Sequence, residues 1–243
     1  MAKQTGILGV QGTVGGLTFG ANGNISKAIG SRKVTAVRTL ENNSEFGNAA
    51  SAGKTARDSF RQVVANISDK LMTSRMTKVM RSIIDTDAVN DRGQRGVIDA
   101  EIELLKGFEF NEKAILSTIA FMGFNPIINR LLGTHSIAVD AFNSARDVSA
   151  PTGTTHMKLV GSASSIDFEA KDSDGVTVTS AYIPYTNSTV AAQTLVLTLP
   201  SASVHPIVVV FGVEFYQEVN GKQYLLGNGA YTTSKVVAVD GNV

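Results

Sequence analysis

The residues able to do chemistry in this chain are few and scattered. Three histidines, His135, His156 and His205, stand far apart, each beside a stretch of strand character. None belongs to a His-x-His or His-Glu-x-x-His pattern, the spacings that put two imidazoles on one metal. Cysteine is absent, which removes thiolate ligands, thiol nucleophiles and disulfides together. No Gly-x-Ser-x-Gly turn presents an activated serine. Asp172 and Asp174, in the run Lys171 to Gly175, hint at calcium, but the later ligands and closing Glu of an EF-hand loop are missing. That run reads as a polar turn. Asp99, Glu101 and Glu103 are spaced by two, so on a helix they diverge rather than pair.

One stretch imitates a phosphate loop. Gly53-Lys54-Thr55 carries the end of a Walker A sequence, but Asn48 occupies the position of its first glycine. The flanks are helical, and no strand precedes them. A phosphate loop works by aiming successive N–H groups of a strand-to-helix turn at the ligand. The small residues Ala49, Ala50, Ala52, Gly53 and Ala56 instead suit close packing of a helix on a neighbour. The glycine-rich start offers no Gly-x-Gly-x-x-Gly passing from strand to helix either. The reading is therefore a non-enzyme, with no catalytic, cofactor-binding or metal-binding residue and no cofactor.

Basic residues are the remaining candidates. Arg57, Arg61, Lys70, Arg75, Lys78 and Arg81 stud one region. Of these, Arg57, Arg61, Arg75, Lys78 and Arg81 are candidate contacts for nucleic-acid phosphates or for a second subunit. Asp58, Asp69 and Asp85 interrupt the positive surface, and no Arg/Asn/Gln set for base readout can be placed on one exposed face. Charge is uneven along the chain. Residues 1–98 hold 14 Lys/Arg against 7 Asp/Glu, a net of +7, and residues 99–243 hold 8 against 14, a net of −6. Such a split suits a basic surface on nucleic acid, a basic part of one subunit on an acidic part of the next, or two solvated surfaces of opposite bias.

The elements that would position these groups fall into three parts. Residues 1–40 are glycine-rich. Leu17 to Phe19 and Ile25 to Ile29 read as strands joined by the Asn22-Gly23 hairpin signal. Ser31 to Arg38 is a basic linker. From Glu41 to Asp87 apolar residues recur every three or four positions: Phe46, Ala49, Gly53, Ala56, Phe60, Val63, Ile67, Leu71, Met76, Val79, Met80 and Ile83. That spacing predicts one long helix, or two end to end, capped by Asn42, Asn43 or Ser44. A polar loop follows, then a short helix over 97–105 with Lys106-Gly107 as its stop.

From residue 108 the pattern is short strands with turn punctuation. Ala114 to Phe121 is ambiguous between helix and buried strand. Strands are expected over 126–129, 136–142, 156–160, 165–170, 176–183, 194–199, 206–217, 222–226 and 234–239. Of these 206–217 is the most apolar and central, and Asn220-Gly221 is a second hairpin turn. The fold class is α+β: arm and hairpin over 1–40, helical region over 41–107, antiparallel β-sandwich over 108–243.

The segments Lys3 to Phe19, Arg38 to Arg61, Thr73 to Met80 and Leu104 to Asn111 together resemble a family of uncharacterised Bacteroidetes proteins. Members open with a Gly-Thr-x-Gly-Gly-x-Thr-Phe hairpin and carry a Glu-Asn-x-x-Glu-Phe-Gly helix continuing into Ala-Gly-Lys-x-x-Arg. The match covers about residues 3–125. Gly20 to Asn24 departs from it, replacing a longer aromatic and charged hairpin tip. The resemblance implies an association with phages and carries over no catalytic residue.

The expected function is a self-assembling structural subunit of a particle, tube or filament, a phage virion protein whose partners are copies of itself and other virion proteins. The alternative is a nucleic-acid-binding protein using helix 41–87. A carbohydrate-binding sandwich is disfavoured, because tryptophan is absent and only five tyrosines are available for stacking. No run approaches the roughly 20 apolar residues that span a bilayer. The start lacks the apolar core of a signal peptide, so synthesis in the cytoplasm and incorporation into a virion are expected.

Overall fold

The computed structural model describes residues 3–5, 9–20, 24–27 and 36–241. They fall into two units, Met1–Leu40 and Glu41–Val243. In the first, β1 (Lys3–Thr5), β2 (Gly9–Val14), β3 (Leu17–Phe19) and β4 (Ile25–Lys27) form an antiparallel meander in chain order. Gly15 and Gly16 make the β2–β3 turn at φ 57° and 82°, both in the left-handed region that side chains avoid. Strands β3 and β4 pair as expected, Leu17 with Lys27 and Phe19 with Ile25. The Asn22-Gly23 turn, the end of the expected return strand at 28–29 and most of the basic linker lie outside the described residues. Strands β1 and β2 were not legible, because so much glycine masks alternation.

The helical stretch is broken, not continuous. It comprises α1 (Val37–Ser59), α2 (Arg61–Val64) and α3 (Met72–Ile84). Helix α1 starts before the expected cap, so Asn42, Asn43 and Ser44 lie inside it. Between α2 and α3 the chain turns at Asp69, whose Oδ1 accepts the Leu71 N–H at 2.7 Å. This is an Asx turn, and no proline or glycine announces it. Residues 97–105 yield only a 3-10 turn at Ile102–Leu105. The ambiguous segment near 114–121 contains a single helical turn, α4 (Leu116–Ile119).

The strands that follow are β5 (Phe124–Ile127), β6 (Thr134–Val139), β7 (Phe142–Asn143), β8 (His156–Asp167), β9 (Asp172–Thr179) and β10 (Ile183–Pro184). They continue with β11 (Thr189–Val190), β12 (Gln193–Thr198), β13 (Ile207–Val219), β14 (Lys222–Leu225) and β15 (Thr233–Asp240). All pairings are antiparallel, and the class is α+β. β8 and β13 form the centre of a six-stranded sheet, in register from Ile207–Ser165 to Tyr216–His156. β9 and β10 flank β8, and β14 and β15 flank β13. A three-stranded sheet has the order β12-β6-β5, and β7 and β11 make a ribbon.

Residues 207–215 of β13 are buried on both faces, which explains their apolar run. Val208 and Val210 join Ala49, Ala56, Phe60, Met76, Met80 and Ile83 of the helices in one cluster. Ile207, Val209, Phe211, Val213 and Phe215 join Ile137, Leu195 and Leu197 of the smaller sheet in another. The helical and strand-rich regions, distinguished in sequence at residue 107, thus share one compact unit.

The expected break between strands 156–160 and 165–170 is absent. Gly161 to Ser165 stays in β8 because that stretch is pressed between layers. A Cβ on Gly161 would sit 3.0 Å from Leu195 Cδ1. The buried Ser162 and Ser164 hydroxyls donate to the Val176 and Asp174 carbonyls across to β9. The turn falls at 168–171, with Asp167 Oδ1 accepting the Glu169 and Ala170 N–H groups. At Asn220-Gly221 both residues have positive φ, 52° and 75°, as a type I′ turn requires.

Candidate functional site

Residues 41–48 of α1 clamp a loop. Glu45 is fully buried. Its Oε1 accepts the Gly93 N–H at 2.8 Å, and its Oε2 lies 2.7 Å from the Arg81 guanidinium on α3. Burial pushes this carboxyl up, but the Gly93 N–H, Arg81 and Arg95 together hold it below its ordinary value. Arg92 donates to Asn42 Oδ1, and Asn48 donates to the Arg95 carbonyl. Gly93 is at φ 92°, and a Cβ there would lie 3.0–3.2 Å from Glu41. Asp87 closes the same loop, accepting from the N–H groups of Val89, Asn90 and Gly96 and from the Asn90 amide. Burial opposes its charge, but these bonds dominate and hold it at about 2.

The Walker-like glycine has a packing role. A Cβ on Gly53 would meet Met76 Cγ at 3.3 Å and the Thr77 nitrogen at 3.5 Å. Helices α1 and α3 therefore approach closely at this point, as the small-residue stripe predicts. Phe46 departs from expectation: it is 61% exposed, and its neighbour Glu45 takes the inward position.

The five candidate basic residues separate into two groups. Arg75 pairs with Asp69, donates to the Glu109 and Phe110 carbonyls and stacks 5.3 Å from the Phe108 ring centre. Arg81 pairs with Glu45 and Asp85. Both are committed inside the molecule. Arg57 donates Nε to the Gly53 carbonyl of its own helix. Arg61 and Lys78 are exposed. The structure does not gather the five into one basic face.

Four features escaped the sequence reading. The first is a polar and aromatic cluster at one end of the long sheet. The Glu214 carboxylate is buried and accepts from Asn66 at 2.7 Å and from the Tyr216 hydroxyl at 2.6 Å. Burial and this bond raise the Tyr216 pKa. The Lys158 ammonium lies 4.0 Å from the Tyr182 ring centre, and Tyr182 meets Tyr216 edge to face.

The second is the Arg130 clamp. Its guanidinium pairs with Asp240 at 2.8 Å and donates to the carbonyls of Ser203, His205, Asp240 and Gly241. The third is an apolar turn held by that clamp: Leu131 and Leu132 are 76% and 66% exposed.

The fourth is a groove of about 630 Å³ between the edges of the two sheets. Phe124, Asn125 and Pro126 of β5 line one side and Val236, Val237 and Ala238 of β15 the other, over a floor of Leu116 and Ala120. Lys106 and Lys235 line it as well, and Glu109 lies 3.5 Å from the Lys235 ammonium.

The histidines stay apart. His135 is buried, and burial and the nearby Arg130 keep its pKa low and the ring neutral. His156 lies 3.6 Å from Glu218 and His205 lies 3.6 Å from Asp167. Among the described residues no group of three His, Cys, Asp or Glu is placed to hold a metal. Among the described residues no helix is long and apolar enough to cross a membrane. No protein-family model, curated protein or solved structure matches this chain.

Proposed function

We propose that the protein is a non-catalytic, self-assembling structural subunit of a particle, tube or filament, such as a phage virion. The observation that carries this reading is the N-terminal meander. Its strands are three to six residues long, and Val14, Leu17 and Ile25 are 55%, 43% and 63% exposed. Glycine-rich strands of this length carry a high ordering cost and gain stability from packing on a partner. The unit is also one-signed: residues 1–40 hold five Lys/Arg and no acid, and the remaining 203 residues are net −4. A cationic unit beside an acidic body suits subunit-to-subunit attraction. The exposed Leu131–Leu132 turn is a second surface of the kind that assembly covers. In the same reading the two facing sheets of the larger unit serve as a β-sandwich scaffold.

Nucleic-acid binding through the helices has less support, because Arg75 and Arg81 are spent on internal carboxylates. Light scattering of the full chain at high concentration and low salt tests the proposal. Species far above 25.6 kDa are expected, and a strict monomer overturns it.

A further inference from the structure

The groove between β5 and β15 suits a ligand smaller than a chain segment. In places the Cα atoms of the two strands lie within 8 Å of each other. A strand inserted between them would need about 9–10 Å, twice the usual spacing of paired strands. The volume, about 630 Å³, falls instead in the range of small-molecule pockets. Its floor is apolar, with Leu116 and Ala120 both buried. Its walls are held in place. Phe124 packs on Phe211 with ring centres 4.7 Å apart. The Gly107 N–H donates to the Val236 carbonyl at 2.8 Å, and the Val236 N–H donates to the Phe108 carbonyl at 2.9 Å, which anchors the segment carrying Lys106.

Charge selects the class of ligand. Lys106 and Lys235 line the groove, and among the described residues no carboxylate lines it. Lys106 is exposed and has no ion-pair partner among the described residues. Glu109 lies 3.5 Å from the Lys235 ammonium, too far for a good hydrogen bond, so the ammonium keeps N–H donors for another acceptor. Glu109 is also engaged elsewhere, its Oε2 accepting the Leu116 N–H at 3.2 Å. Two cations against this one carboxylate leave a single positive charge uncompensated.

We propose that the groove binds an amphipathic monoanion, an apolar chain or ring that carries one carboxylate. The apolar part lies over Leu116, Ala120 and Phe124, and the carboxylate accepts from the ammonium groups of Lys106 and Lys235. A neutral amphiphile leaves the cations unanswered, and a cationic one is repelled by them. The site is separate from the assembly reading above and does not depend on it.

The test uses the full chain and three eight-carbon probes: octanoate, 1-octanol and octylammonium. Each is titrated by calorimetry below the concentration at which it aggregates. Octanoate is expected to saturate one site, and the other two to bind about tenfold or more weakly, a difference of about 1.4 kcal/mol. Methyl NMR locates the site, with octanoate expected to shift Leu116, Ala120, Val236, Val237 and Ala238. Lys106→Gln removes an exposed charge that pairs with no described carboxylate, so the fold is expected to persist. It should weaken octanoate about threefold, as loss of an exposed ion pair does, and leave 1-octanol unchanged. Equal binding of the three probes, methyl shifts confined to another region, absence of saturable binding, or a Lys106→Gln variant that binds octanoate as tightly as the parent each overturns the proposal.

Discussion

The Glu45 carboxylate on α1 and the Arg81 guanidinium on α3 lie 2.7 Å apart, with Glu45 wholly enclosed and Arg81 a quarter exposed. The pair fixes the rotation of α1. With Glu45 inward, Phe46 faces solvent, although the helical spacing alone puts the phenylalanine in the core. A buried carboxylate is tolerable because the Gly93 N–H and Arg81 both engage it. The same contacts tie α1, α3 and the 87–96 loop into one body.

Removing the cation leaves the carboxylate enclosed without compensation. Arg81→Met is expected to destabilise the protein by about 3–5 kcal/mol, the range for breaking a buried pair from one side. Glu45→Gln keeps the Gly93 bond and removes the charge, and should cost less. Chemical denaturation of both variants checks the order. If Arg81→Met is neutral, the pair does not hold the helices.

Acid should also act through the loop that this pair anchors. Asp87 is held at about 2, below the ordinary 3.8. A depressed folded pKa contributes stability that is present above the unfolded value and lost as pH falls through the folded one. Stability should therefore drop between about pH 4 and pH 2. Asp87→Asn should flatten that part of the profile and lower stability at neutral pH. Thermal melts across this range give the answer, and an unaltered acid limb in the variant contradicts the assignment.

Much of this was legible in the residues and some was not. The small-residue stripe through Gly53 announced close helix packing, and Met76 supplies the partner. The apolar run over 207–215 announced a central strand, because a strand buried on both faces needs no polar alternation. Two features hid for identifiable reasons. Gly161-Ser-Ala-Ser-Ser165 looks like a loop, since small polar residues are common in turns, yet Ser162 and Ser164 are satisfied across to β9 and Ser165 by Ser203, in a layer too thin for larger side chains. The cluster around Glu214 joins Asn66, Lys158, Tyr182 and Tyr216 from four distant segments, so no local spacing could display it. The basic candidates misled in part the same way: Asp69 and Asp85 are visible near Arg75 and Arg81 in sequence, but the buried partner of Arg81, Glu45, comes from another helix.

The packing at Gly53 sets a size limit. Alanine places a methyl 3.3 Å from the flexible Met76 side chain, which can shift. Gly53→Val adds branched bulk against the Thr77 backbone as well, and overpacking of this kind costs about 1–3 kcal/mol. Melting temperature should fall from Ala to Val, with Ala near the parent because its helix propensity offsets the contact. A valine variant as stable as the parent means the helices are not in close contact.

The Arg130 clamp depends on geometry as well as charge. Arg130→Lys keeps the cation but cannot span the carbonyls of Ser203, His205, Asp240 and Gly241 together. It should loosen the end of β15 nearly as much as Arg130→Ala does. Hydrogen exchange at residues 236–241 is the readout, and full protection in the lysine variant contradicts the clamp.

The alternative function has its own discriminating pattern. Phosphate binding by the helices would be steeply salt-dependent through counterion release. Replacing Arg57, Arg61 and Lys78 with Gln should then remove it without loss of stability, because none of these belongs to the buried pairs. The expected result for the parent protein is weak, non-specific binding, and a tight complex with one preferred sequence at physiological salt would reverse the ranking.

The central claim is assembly through the N-terminal unit, and multi-angle light scattering of the full chain beside a variant lacking residues 1–35 tests it most directly. At low salt the full chain is predicted to form large oligomers that diminish as ionic strength rises, since exposed charge contacts are screened. The shortened chain is predicted to remain folded and monomeric under the same conditions. Equal oligomerisation of the two chains, or a full chain that stays monomeric at every concentration, contradicts the account.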